Sequence, residues 1–290
     1  MQPAKKNLVI AAIMALALIM AAPAAAEYAD YKGHKVFYQV MGQGKPALVL
    51  VHCWNGDHTL WRFNAPELAK KHKLVLVDLL GHGKSDKPKV DYTMEFMAGG
   101  VTAAIKASGV KKPVLAGHSM GGPVSRTVIR DNPGLASGLI LVDIAVIPAP
   151  KDPKLAAARL KAFDGLIAGL EKDYKVNLLT FLRPMLGPSI TPAKKKIIED
   201  KMLAADPYVA ISCAKTLRDP KTWNFKPLKL KTLAQLARSP YYPPDVETQM
   251  RKAFPNLVYK QWEKVGHWFQ MEKPELFNRQ VEEFLAKPGK

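Results

Sequence analysis

One pentapeptide, Gly117–Gly121 (GHSMG), most strongly restricts what this chain can fold into. It directly follows the apolar run Pro113–Ala116 and precedes a helix-like segment, so its serine lies at a sharp turn from strand to helix. Such a turn strains the serine backbone, and the flanking glycines let neighbouring backbone pass closely. The turn also places the hydroxyl at the carboxyl edge of a sheet, beside a helix N-terminus. We therefore predict that Ser119 is a nucleophile; the alternative is a glycine-rich turn with an exposed serine.

Short apolar runs alternate with helix-like segments along much of the chain. The strand-like runs are Lys35–Val40, Ala47–Val51, Lys73–Val77, Pro113–Ala116, Leu139–Val142 and Asn256–Tyr259. The helix-like segments are Ala65–His72, Thr93–Ser108, Gly122–Asn132 and Pro274–Ala286. Runs that are apolar throughout suit central strands covered on both faces. The alternation predicts an α/β fold with a doubly wound, mostly parallel sheet.

The pattern changes between about Pro148 and Trp223. Lys154–Lys172 has amphipathic helical spacing, Lys194–Leu217 contains more helix, and no clear strand-like run occurs in this segment. Sheet-like and C-terminal elements resume after it. We interpret residues 148–223 as a helical cap inserted into a core that consists of residues 27–147 and 224–290.

The first 26 residues have the layout of a secretory signal peptide. Lys5 and Lys6 precede the apolar run Leu8–Met20, which is followed by Ala24–Ala26 ahead of Glu27. The apolar run is shorter than the roughly 20 residues of a membrane span. We predict cleavage after Ala26 and a periplasmic or secreted protein; the alternative is an uncleaved N-terminal anchor.

The chain is strongly basic, with a formal net charge of +18. This charge suits an exported protein that must stay soluble, and weak attraction to anionic surfaces of the cell envelope is a second interpretation. The lysines are scattered and not interleaved with aromatic residues, so we expect no nucleic-acid partner. We expect neither a cofactor nor a metal ion. Cys53 and Cys213 are the only cysteines, and the sequence favours two buried thiols over a disulfide.

A nucleophilic serine needs a base, and His267 is the best candidate. It lies in Val265–Trp268, after the strand-like Asn256–Tyr259 and before the final helix, where a loop histidine can overhang the carboxyl edge of the sheet. The order of serine before histidine agrees with this position. We interpret His52 and His82 as structural.

Four motifs, in this order, resemble those of the α/β-hydrolase superfamily, in its group of esterases, epoxide hydrolases and C–C hydrolases. The motifs are His52–Gly56, Asp78–Ser85, Gly117–Gly122 and Gly266-His267. The resemblance extends from about Tyr31 to the end of the chain. It implies an oxyanion hole formed by two backbone N–H groups, those of Trp54 and Met120. The chain departs from the family pattern at Cys53, where the family prefers glycine, and we interpret Asp78 and His82 as turn-stabilising.

The acid of the triad also departs from the family pattern. The resemblance places it after the strand that follows the cap, but Thr232–Pro244 contains no carboxylate and the expected position falls at or beside Ser239. Some haloalkane dehalogenases and lipases instead carry the acid at the end of the strand before the cap, where Asp143 lies here. We predict that Asp143 is the acid. The alternatives are Asp245, which better suits a helix N-cap, and a triad weakened or lacking its acid.

Together these residues predict a serine hydrolase that cleaves carboxylic esters, or related acyl bonds, of small apolar substrates through an acyl-enzyme. Haloalkane dehalogenases and epoxide hydrolases are disfavoured because both need aspartate at the position of Ser119. Hydrolysis of C–C bonds, lactones or thioesters and perhydrolase activity use the same residues and stay open. A binding protein that kept the pocket and lost turnover is the alternative from another class. The oligomeric state also stays open.

Overall fold

The computed structural model describes residues 25–150 and 152–287, and within them the predicted α/β class is confirmed. The eight strands are β1 Ala25–Tyr31, β2 His34–Met41, β3 Leu48–Val51, β4 Leu74–Val77, β5 Val114–His118, β6 Gly138–Val142, β7 Thr232–Ala237 and β8 Leu257–Trp262. They form one sheet in the order β1-β2-β4-β3-β5-β6-β7-β8. Strand β2 is antiparallel to both of its neighbours, and all pairs from β4 to β8 are parallel.

Within residues 25–150 and 152–287, ten α-helices accompany the sheet. They are α1 Ala65–Leu68, α2 Met94–Ala107, α3 Gly121–Asp131, α4 Pro153–Lys172, α5 Tyr174–Leu182, α6 Pro192–Leu203, α7 Pro207–Arg218, α8 Val246–Ala253, α9 Phe269–Glu272 and α10 Pro274–Ala286. The same part of the chain contains short 3-10 helices at His58–Trp61, Arg183–Met185 and Pro220–Trp223. Helices α4 to α7 fall between β6 and β7, and we call residues 153–218 the cap. No described helix is long and apolar enough to cross a membrane.

The central strands are buried on both faces, which explains their apolar runs. Successive residues alternate between two cores: Val49 and Val51 belong to one, whereas Leu48 and Leu50 belong to the other. Helices α2 and α3 cover the first face and α10 covers the second. A one-residue shift of a strand would turn each side chain toward the opposite core, and apolar burial contributes about 25 cal/mol per Å². The two cores therefore fix the register of the strands and the place where each strand ends.

Some elements differ from the predictions. Helix α1 ends at Leu68, four residues before the predicted end, and the chain then turns so that His72 can bond to Pro46 O through Nδ1 and to Glu282 through Nε2. The signal-peptide prediction concerns residues that lie outside the described ranges, apart from Ala25 and Ala26 in β1. Cys53 and Cys213 are both buried and free.

The turn between β5 and α3 depends on glycine. A Cβ at Gly121 would clash with the backbone oxygens of Val51 and His52. This close approach packs the start of α3 against the end of β3. The other glycine of the motif, Gly117, also has no room for a Cβ, which would clash with the backbone of Gly121.

We expect Gly121→Ala to lower the free energy of unfolding by about 1–3 kcal/mol, because backbone atoms must move to admit the methyl group. The matched control is Gly165→Ala in the exposed middle of α4, where a Cβ would meet nothing within 4 Å. That change should stabilise by about 0.5–1 kcal/mol, since alanine is the better helix residue. Urea unfolding measures both variants. Equal effects would contradict the account of the turn.

Candidate active site

Ser119 lies at the turn between β5 and α3 and has a φ of 51°, which is rare for a residue other than glycine. Its backbone N–H donates to Val142 O at 2.9 Å, so the strained turn is fixed against the end of the neighbouring strand β6. The residue is half-buried. This geometry places Ser119 at the carboxyl edge of the sheet, as the sequence predicts.

Asp143 and His267 meet at the same edge. Asp143 directly follows β6 and is 4% exposed, and its Oδ2 lies 2.6 Å from His267 Nδ1. The other carboxylate oxygen, Oδ1, accepts from Ala237 N at 2.7 Å. Asp143 N donates to Gln235 O at 2.8 Å, which holds the residue at a φ of 44°. Since a carboxylate only accepts, Nδ1 of His267 carries a proton, and in the neutral imidazole Nε2 is then the nitrogen with the lone pair.

The loop after β7, where the family pattern places the acid, brings the Tyr242 phenol to Asp143 instead of a carboxylate. Ser239 stays in the turn, where its carbonyl accepts from Tyr242 N. The Tyr242 phenol faces Asp143: its pKa is raised well above the usual value by burial, by the charge of Asp143 and by a hydrogen bond to that carboxylate. Sequence reasoning missed Tyr242. The one signal in the sequence was the absence of a carboxylate from this loop.

Asp245 is not positioned like Asp143. It precedes α8, as predicted for an N-cap, but its side chain is exposed and accepts from Gln249 Nε2 at 2.8 Å. Asp245 occupies the N-cap position and its carbonyl accepts from Gln249 N at 3.0 Å, but its side chain makes no capping hydrogen bond to a backbone N–H of the helix.

His118 joins the nucleophile turn to the loop of His267. Its Nε2 donates to His267 O at 2.8 Å, and its Nδ1 accepts from Gln270 Nε2 at 3.2 Å. The rings of His118 and His267 lie 4.8 Å apart between centroids. Within the described ranges, the Ser119 hydroxyl makes no hydrogen bond to His267; in unliganded enzymes such bonds are often long and tighten in the substrate complex.

The loop after β3 begins at His52, whose carbonyl lies against Gly121 at the start of α3, and it carries Trp54. His52 holds this loop, since its Nδ1 donates to Cys53 O at 2.7 Å and its Nε2 accepts from Leu79 N at 3.0 Å. Among the described residues, the backbone N–H groups of Trp54 and Met120 have no acceptor. Both are therefore available to an oxygen, although their role in an oxyanion hole stays a prediction. Burial raises the pKa of the Cys53 thiol to about 12, which disfavours a reactive thiolate.

The cap rests on the same loop. Trp54 Nε1 donates to Ala210 O in α7 at 2.9 Å, and Asn55 Nδ2 donates to the Tyr174 hydroxyl in α5 at 3.0 Å. Lys201 of α6 pairs with Asp57 at 2.5 Å. Three cap helices therefore contact the loop that carries the predicted oxyanion donor.

One group of side chains in the described ranges has metal-like spacing: Asp57, His58 and Asp78, whose ligand atoms lie within 4.8 Å of one another. Every carboxylate oxygen there has a protein partner. Asp78 accepts from the backbone and ring of His58 and from Lys84 N, while Asp57 accepts from Thr59 and Lys201. The group therefore stabilises turns, in agreement with the interpretation of Asp78.

Three buried histidines near the site, His52, His82 and His118, are held neutral. Burial lowers the pKa of each below its usual 6.5, to about 3 for His82. Below pH 6.5 the unfolded chain takes up these protons and the folded chain does not. The contribution of these histidines to the free energy of unfolding is therefore full above pH 6.5. It is lost as the pH falls toward their pKa values in the folded protein.

We expect the free energy of unfolding to fall by up to about 1.4 kcal/mol per pH unit for each of these histidines as the pH drops below about 6.5. Urea unfolding between about pH 7.5 and 5 measures this slope. In His82→Gln the slope should decrease by the contribution of one proton, up to about 1.4 kcal/mol per pH unit. An unchanged slope in that variant would contradict the neutral state of His82.

Comparisons with known proteins agree with this architecture. The family model for the alpha/beta hydrolase fold matches residues 46–190. An uncharacterized protein of Mycobacterium tuberculosis is 32% identical over 121 residues, 42% of this chain and 35% of that protein, so the match spans about a third of the relative's length. YisY of Bacillus subtilis, an AB hydrolase superfamily protein, is 26% identical over 254 residues, covering 86% of this chain and 94% of YisY.

Among solved structures, the esterase EaEST from Exiguobacterium antarcticum superposes with a TM-score of 0.81 at 20% identity, covering 91% of this chain and 100% of the esterase chain. At that identity the likeness concerns the fold alone. The superfamily predicted from the four motifs is confirmed, and the chain belongs to the α/β hydrolase fold family.

Proposed function

We propose that this protein is a serine hydrolase that cleaves carboxylic esters of small apolar molecules through an acyl-enzyme. The observation that carries the proposal is the 2.6 Å bond between His267 and Asp143, at the same sheet edge as the strained Ser119. The esterase name of EaEST, whose fold the chain shares, agrees with it.

The reaction follows from the hydrogen-bond geometry of the site. His267 Nε2 takes the proton of the Ser119 hydroxyl while Ser119 Oγ forms a bond to the ester carbonyl carbon. The carbonyl oxygen becomes an oxyanion, which accepts from the N–H groups of Trp54 and Met120. The C–O bond to the alcohol then breaks and His267 returns the proton to the leaving oxygen. Water repeats the sequence, releases the acid and restores Ser119.

Asp143 supports this proton transfer through charge and orientation. Its carboxylate holds the Nδ1–H tautomer and stabilises the imidazolium that forms when Nε2 takes the proton. The hydrogen bond from Ala237 N holds the carboxylate in place. The pair also favours an enzyme over a binding protein, because a protein that has lost turnover has no need of a carboxylate that holds His267.

Apolar surroundings support the proposed substrate class. Met120 and Trp268, the residues that follow Ser119 and His267, are buried, and so is Trp54. Phe181 of α5 lies edge-on to the Trp54 ring at 5.8 Å. Apolar walls with a few placed polar groups are typical of sites for small molecules. Hydrolysis of C–C bonds, lactones or thioesters and perhydrolase activity use the same groups and are separated by a substrate screen.

Export to the periplasm or the medium is part of the proposal and rests on the leader-like residues 1–26. The net charge of +18 then acts through solubility or weak attraction to anionic surfaces.

The test is the rate at which a fluorophosphonate labels Ser119, followed by intact mass. We expect labelling of the wild-type protein and none of Ser119→Ala. Asp143→Asn should slow labelling at least about 100-fold, because the amide favours the wrong tautomer of His267. Asp245→Asn is the matched control and should label at the wild-type rate. A wild-type protein that does not label would overturn the proposal, and normal labelling of Asp143→Asn would remove Asp143 from the triad.

A further inference from the structure

A short segment of the cap, Met185–Ile190, lies against the loop that carries His267. The backbone N–H of His267 donates to Met185 O at 2.8 Å. The two segments are in direct backbone contact, because a Cβ at Gly187 would clash with Gly266 N and a Cβ at Gly266 would clash with Gly187 N. This contact is separate from the one between the other cap helices and the Trp54 loop.

Glu272 lies behind this contact and bonds to both segments. Its Oε1 accepts from Gly266 N at 2.8 Å, and its Oε2 accepts from the Ser189 hydroxyl at 2.8 Å. The residue is 7% exposed, and none of the ion pairs within residues 25–150 and 152–287 includes it. A buried carboxylate without a cation is costly unless hydrogen bonds satisfy its oxygens, and Gly266 N and the Ser189 hydroxyl each donate to one of them. The two donors account for its presence at this point.

His267 is thereby held on each side. Nδ1 bonds to Asp143, the backbone N–H bonds to the cap at Met185, and the backbone carbonyl accepts from His118. The adjacent residue, Gly266, has its N–H bound to Glu272. Because glycine restricts its own backbone dihedral angles little, the hydrogen bond to Glu272 restricts the backbone conformation of the residue just before His267.

From this geometry we propose that Glu272 is a positioning residue that keeps His267 on Asp143 by binding Gly266 N and Ser189 together. The inference rests on the proposed function. It further implies that the cap and the base are coupled: a movement of Met185–Ile190 away from the core withdraws a hydrogen bond from His267 itself.

The experiment measures kcat and KM for a p-nitrophenyl ester in four variants. Glu272→Ala should lower kcat about 10- to 100-fold and change KM less than about 2-fold, since a displaced base slows the proton transfer rather than substrate binding. Glu272→Gln should recover most of kcat, because its amide can still accept from Gly266 N and can donate to Ser189. Ser189→Ala removes the cap-side bond alone and should lower kcat by a smaller factor. Glu275→Ala, exposed at the start of α10, is the matched control.

A second measurement does not require turnover: proton NMR of the His267 Nδ1–H. The resonance should be present in the wild-type protein and in Glu272→Gln, and it should exchange faster with water in Glu272→Ala. Wild-type kcat and wild-type exchange in Glu272→Ala would overturn the inference, as would a glutamine variant as impaired as the alanine variant. If Glu272→Ala does not fold, Ser189→Ala decides the question by the same two readouts. Absence of esterase activity and of Ser119 labelling in the wild-type protein would count against the proposed function, and the NMR comparison would still test the role of Glu272.

Discussion

Asp143 Oδ2 and His267 Nδ1, 2.6 Å apart, join residues separated by 124 positions in the chain. Their meeting depends on the sheet. Asp143 continues from β6, a fully buried strand, and His267 lies in the loop after β8, two strands away. Strand β7 lies between them and holds Asp143 by two hydrogen bonds. Gln235 O accepts from the backbone N–H of Asp143, and Ala237 N donates to its carboxylate. A shift in the register of β7 would therefore displace the acid.

Two strained residues stand at the ends of adjacent strands, Ser119 after β5 and Asp143 after β6. A left-handed backbone at a residue other than glycine persists only where the surrounding structure determines it. Here the bond from Ser119 N to Val142 O ties one turn to the other strand, and packing of Gly121 against Val51 fixes the opposite side. The rigid sheet thus places the serine and the acid, while loops in contact with the cap carry the base and the predicted oxyanion donor at Trp54.

The sequence predicted those parts of the molecule that depend on local patterns. Apolar runs predicted the central strands, and GHSMG predicted the turn at Ser119. The lack of a carboxylate in the segment after the cap indicated Asp143 as the acid. Strand β7 was not identified, because Thr232–Ala237 (TLAQLA) has little intrinsic strand preference and forms by pairing with β6 and β8. Tyr242 and Glu272 were missed for a related reason: their roles depend on contacts between segments distant in sequence, which no local spacing encodes.

The most direct test of the account is rapid-quench mass spectrometry of the protein mixed with p-nitrophenyl acetate. Enzyme-bound acetyl should appear on the peptide that contains Ser119 before steady state and decay at the rate of turnover. Release of p-nitrophenol with no acetyl on that peptide, or with the acetyl on another residue, would contradict it.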